Sequence, residues 1–267
     1  MNGNLLRLLV TRHAAFVAAS AVLLAGFQFL ICAAVASVDV VGALTTLVQS
    51  VPPLFQSFVS SQLFGGFSKS GLLAFGWAHP IAQALGAALA ITLGTQAVAG
   101  EAEAGTIEFT LSQPLSRRAY LGAHVMFALA SLAALTLAGI AGTVIGQRTY
   151  GLEPFAAGRL LRFGADYLLF QAAWFSLAFL LSTWGREAGR VALLAFLLAI
   201  VSYLVHVIGS MWEAWRPLVP WTLHAYFKPQ EILVQGAGIA RPAAVLLGVV
   251  AVSLAGAWLR FRGRDLP

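Results

Sequence analysis

The residues with the most chemical potential sit in one polar stretch between two apolar runs. It reads Gly100-Glu-Ala-Glu-Ala-Gly-Thr-Ile-Glu, then Phe-Thr-Leu-Ser-Gln-Pro114-Leu-Ser-Arg117-Arg118. Glu101 and Glu108 are seven apart and would share a helix face. Pro114 would break that helix. Ser116 could cap a new one, with Arg117 and Arg118 at the level of lipid phosphates. Three acids in one short loop suit a protein partner with basic groups, although on charge pattern alone a solvated loop is the simpler account. A second polar loop, Gly185-Arg186-Glu187-Ala-Gly-Arg190, echoes the first too briefly to count as a repeat. No Ser, His and acid arrangement falls into a recognised catalytic pattern. The single cysteine, Cys32, lies in an apolar run and reads as a small buried side chain. Three methionines, one cysteine and scattered histidines do not make a transition-metal path, and no metal site is expected.

What must position these loops follows from composition. Of 267 residues 60% are hydrophobic and only 10% charged, far below the ~25% charge of soluble domains. A soluble fold would have too little polar surface to cover itself. The expected class is all-α integral membrane. Six apolar runs reach the ~20 residues needed to cross a bilayer: about 14–36, 71–98, 120–145, 165–183, 191–210 and 243–259. Their unbroken apolar character excludes a β-barrel, and backbone groups in lipid must be paired within each segment, so these are helices. The first run is too long for a secretory leader and is expected to be retained. The segment before it, residues 2–12, could lie flat in the interface with Arg7 and Arg12 among headgroups. One membrane domain, 1–267, is expected, bound by lipid and without the aromatic-interleaved basic stripe of a nucleic-acid binder.

Six crossings put both termini on one side. Counting Lys and Arg gives nine on that side and seven on the other. With the charge-poor loop after the first run, this places the termini and loops 99–118 and 185–190 in the cytoplasm. Residues 40–67 read as an outer loop with short interfacial helices. Residues 211–241, rich in Trp and Pro, fit the interface or a partly inserted hairpin. Gln28 and Gln171 are expected to bond between helices, and Gly86, Ala90 and Gly94 to allow close packing. A neutral His124 or His206 would bond a neighbouring helix, and Asp166 would form an interfacial ion pair with Arg159 and Arg162 upstream.

The order of Glu101, Glu103, Gly105, Thr106, Glu108, Leu111, Ser112, Pro114, Ser116 and Arg117 resembles the signature of ABC-2-type exporter permeases. The six-span layout and the ending from Phe261 to Leu266 are similar as well. A lysine usual in that family after the motif is absent, the chain reading Leu121-Gly122-Ala123-His124. The resemblance implies a prokaryotic inner-membrane permease that forms homo- or heterodimers and works with two separate ABC ATPase subunits. ATP and Mg would bind to the ATPase, with no cofactor on this chain. Glu101, Glu103, Gly105, Thr106, Glu108, Pro114 and Arg117 would belong to the coupling loop, and Arg186, Glu187 and Arg190 to a second, smaller contact. The chain has no Gly-x-x-x-x-Gly-Lys-[Ser/Thr] and no soluble stretch long enough for a nucleotide-binding domain, so it is not expected to be an enzyme. A secondary transporter or channel with six spans is the alternative, and it would want charged residues near the bilayer midplane.

Overall fold

A computed structural model describes residues 3–37, 68–106 and 116–263. The expectations for residues 40–67, Glu108 and Pro114 fall outside them. Nine α-helices are found among the described residues: α1 (Gly3–Ser37), α2 (Lys69–Ala78), α3 (Pro80–Thr95), α4 (Glu101–Glu103), α5 (Arg117–Thr149), α6 (Ala157–Ser182), α7 (Ala188–Met211), α8 (Pro229–Leu233) and α9 (Ala240–Arg262). Among the described residues six stretches are long and apolar enough to cross a membrane: Leu5–Ser37, Lys69–Glu103, Arg117–Thr149, Ala157–Ser182, Ala188–Met211 and Ala240–Arg262. Each matches one of the six apolar runs, the fourth stopping at Ser182, one residue short of the run's end.

The helices extend past those runs. Residues 3–12 continue α1 rather than forming a separate interfacial segment, so α1 has 35 residues. At 1.5 Å per residue it is about 52 Å long, well beyond a ~30 Å hydrocarbon core. The second run is not one helix. His79 has φ −60°, ψ 137°, and α3 restarts with Pro80 in its first turn, because a residue before proline is driven out of the helical region. His79 Nδ1 accepts the Ile81 backbone N–H at 3.3 Å and caps the restart.

The bundle is organised around α6, which packs on α3, α5, α7 and α9. It buries Phe163, Tyr167, Phe170, Phe175 and Phe179 almost completely. Gly94 of α3 sits so close to α6 that an added Cβ would lie 2.7 Å from the Phe175 carbonyl. This is the close packing expected of small residues there. Gly86 faces Gln171 and Tyr167, and Ala90 is fully buried. The other large contact is α1 on α5, where Cys32 is buried against Gly146. Gln28 of α1 donates to the Gly76 carbonyl of α2 at 3.3 Å, an interhelical bond as expected.

Residues 212–237 fold back on the helices as a hairpin. Two 3₁₀ turns, Glu213–Trp221 and Leu223–Tyr226, fold the chain back against α7. His224 reaches halfway along the helices: its ring lies 5.1 Å from Phe170 and 5.4 Å from Tyr203, and its Nδ1 is 2.9 Å from Ser202 Oγ. The chain then returns past Phe227, which stacks on Phe170 at 4.8 Å. Trp212, Trp215 and Trp221 stay exposed.

Asp166 departs from its expected ion pair. Arg159 donates instead to the carbonyls of Leu233 (3.2 Å) and Val234 (2.7 Å), and Arg162 to that of Gly236 (2.9 Å). Carbonyls at the end of α8 take the Arg159 guanidinium, and one in the turn that follows takes that of Arg162. Asp166 is fully buried, neither carboxylate oxygen makes a hydrogen bond of normal geometry, and the Lys228 backbone amide faces it. The His124 ring lies tilted against Tyr120 at 4.7 Å, and His206 lies 6.5 Å from His224 with its Nδ1 unpartnered.

Candidate functional site

The first polar loop begins where α3 loosens. Residues Gln96–Gly100 make a wide π-type turn before α4. The Tyr120 hydroxyl donates to the Ala97 carbonyl at 2.6 Å, tying this turn to the start of α5. Such wide turns recur where a helix has to redirect side chains.

The Gly-Thr pair of the motif ends α4 by a specific geometry. Gly105 has φ +66°. Its N–H bonds the Ala102 carbonyl at 3.2 Å, and the Thr106 N–H reaches back to the Glu101 carbonyl at 3.0 Å. This paired closure is the Schellman motif, which needs a left-handed residue and favours glycine. The Thr106 side chain then donates to one Glu101 carboxylate oxygen, while Arg12 of α1 pairs with the other. Glu101 is therefore 8% exposed and spoken for by its own chain. It fastens the loop to α1 rather than presenting charge outward.

Glu103 points the other way along the surface. Its Oε2 accepts the Ala188 backbone N–H at 2.8 Å, and so caps the start of α7, where the helix dipole favours a negative group. This bond joins the two polar loops into one surface. Arg186, Glu187 and Arg190 are exposed on it, with Glu187 and Arg190 paired at 2.8 Å. Glu103, Gly105 and Thr106 are also exposed, and Trp184 is 55% exposed beside them.

Arg117 holds the same end of the bundle from the opposite side. Its Nη1 donates to the carbonyls of Phe261 (2.7 Å) and Arg262 (3.1 Å), and its guanidinium lies 5.6 Å from the Phe261 ring. A cation there closes the carbonyl end of α9. Ser116 Oγ accepts the Ala119 N–H at 3.2 Å and caps α5 as expected. The starts of α1, α5 and α7, the end of α9 and α4 thus share one face. Of the residues singled out in the sequence, Glu103 and the 185–190 loop meet directly, Glu101 and Thr106 clasp each other, and Arg117 lies apart at the α9 end.

Sequence reasoning did not single out Arg12, Tyr120 or Trp184 as parts of this site. The cation that faces the loop comes from a helix remote in sequence, and the aromatic from the helix that follows it. Only the nearness of Tyr120 to the Arg117-Arg118 pair hinted at one of them.

The polar face carries charges of both signs and is tied to α1, α5 and α7. A search of curated proteins returns no match. The family model described as ABC-2 family transporter protein matches residues 8–266, nearly the whole length. With six apolar helices and a motif loop clasped as described, the chain belongs to the ABC-2 family of membrane transporters.

Proposed function

We propose that this protein is the permease subunit of an ATP-driven exporter, driven by a separate ABC ATPase chain that docks on the face formed by loops 99–118 and 185–190. The termini and this face lie in the cytoplasm of a prokaryotic cell, and the helices span its inner membrane. Two permeases, identical or related, pair in the assembly. ATP and Mg bind to the ATPase, not here.

The observation that carries this reading is the Glu103–Ala188 hydrogen bond. It makes one platform of two loops that are 85 residues apart in sequence. The platform is fastened to α1 by Arg12–Glu101, to α5 by Tyr120, and to α7 by Glu103. A displacement imposed on it moves three helices together, which is what a two-state transport cycle requires of an input. Glu101 serves as an internal fastening, and the exposed Arg186, Glu187, Arg190, Gly105 and Thr106 meet the partner. Glu108 and Pro114 belong to the same coupling loop.

Co-expression with the cognate ATPase and pull-down on the permease tests this. An Arg186→Glu/Arg190→Glu variant should fold normally and lose most of the bound ATPase. Ion-gradient-driven transport without any ATPase would instead favour a secondary transporter, for which the buried Asp166 carboxylate is the supporting observation.

A further inference from the structure

Arg117 and Arg118 are adjacent, yet they do different work. Arg117 turns inward to the α9 carbonyls, whereas Arg118 is exposed and lies over the Trp258 ring, 5.3 Å from its centroid. No carboxylate among the described residues pairs with Arg118, or with the exposed Arg260 and Arg262 at the same end of α9. Below Arg118 and Trp258 runs an open groove of about 300 Å³ between α5, α6 and α9, walled by Leu121, Val125, Phe179 and Leu254. Its floor is Gly122, where an added Cβ would meet nothing within 4 Å.

The groove is layered along the helix axis. Arg118 lies in the first turn of α5, and Trp258 lies one turn before the end of α9. Both therefore sit at interfacial depth, where Trp and Arg concentrate. Val125 lies two turns further in, roughly 10 Å deeper. Cation and indole at the interface with an apolar trough beneath is the complement of a phospholipid, phosphate above and acyl chain below. The volume is at the small end of ligand pockets and suits part of one acyl chain. A guanidinium beside an indole with no carboxylate partner keeps N–H donors that suit phosphate oxygens.

We propose that this groove binds one anionic phospholipid of the leaflet on the terminal side, its phosphate held by Arg118 and one acyl chain laid over Gly122. The bound lipid braces the start of α5 against the end of α9, beside the contact made by Arg117. The inference rests on the membrane placement of the chain and not on the ATPase reading.

Native mass spectrometry of the full-length protein in neutral detergent, with phosphatidylglycerol and phosphatidylcholine of identical chains added together, tests it. The wild type should retain phosphatidylglycerol with a preference of about fivefold, the effect of one basic group at an anionic headgroup. Arg118→Gln should abolish the preference while some lipid of either type stays. Gly122→Phe fills the trough and should lose both lipids, whereas Gly248→Phe, at an equally open site on exposed α9 surface, should behave as wild type. A melting curve for each variant confirms that it is folded. Equal retention of the two lipids by the wild type, an unchanged preference in Arg118→Gln, or equal losses in Gly122→Phe and Gly248→Phe would each overturn the proposal.

Discussion

The Glu103 carboxylate sits 2.8 Å from the Ala188 backbone nitrogen, so the loop after α3 supplies the N-cap of α7. Two segments that flank different helices thereby become one mechanical part. Glu103→Ala should cost about 1 kcal/mol of stability, the usual worth of a helix cap, while Glu103→Asp should recover little of it because the shorter side chain falls short. If the bond transmits motion, ATP-driven transport in Glu103→Ala should fall by more than the binding of the ATPase does. Transport in proteoliposomes and pull-down from the same preparations separate the two.

Arg12 and Glu101 are 89 residues apart and form an ion pair with Glu101 buried and Arg12 partly open to solvent. The solvent on the arginine side screens the pair. A double-mutant cycle with Arg12→Ala and Glu101→Ala should give a coupling energy of about 1 kcal/mol. Glu101→Ala should be the more harmful single change, since it also strips Thr106 of its acceptor. Unfolding in mixed micelles measures both.

Gly105 at φ +66° should tolerate no Cβ without strain, although space around it is open. Gly105→Ala is expected to destabilise the loop closure by roughly 1–2 kcal/mol. Faster amide exchange at Gly105 and Thr106, with the rest of the bundle unchanged, is the signature. Uniform loss of protection across α3 and α5 would show that the glycine serves something else.

Asp166 is buried without a counter-ion among the described residues. Asp166→Asn keeps the shape and removes the charge. Its melting temperature should be equal to or above the wild type's, since a buried charge without a partner is costly. A clear fall would mean that the carboxylate holds something the folded bundle needs.

The apolar runs made six helices legible because nothing but a helix pairs its backbone in lipid. Small residues at 86, 90 and 94 likewise foretold where α3 meets α6. Helix ends were harder. Arg7 and Arg12 read as headgroup anchors, but α1 simply continues through them, and Arg12 answers a glutamate from another helix. The break at His79–Pro80 was hidden inside an apolar run, although the proline was there to be read. Asp166 misled because its nearest cations in sequence, Arg159 and Arg162, are drawn to the carbonyls that close the hairpin. The motif spelled out a loop and its partners in a family sense, yet only the three-dimensional arrangement separates Glu101, turned inward, from Glu103, turned to α7. Long-range pairings of this kind leave no mark in composition or periodicity.

The most direct test of the account is co-purification of the permease with its candidate ATPase, comparing wild type with Arg186→Glu/Arg190→Glu in detergent. The wild type should hold the ATPase, and the double variant should lose at least most of it while eluting as a folded, monodisperse protein. Retention of the ATPase by the folded double variant would contradict the assignment of this face as the docking surface, and failure of the wild type to bind any ATPase would contradict the coupled-permease reading itself.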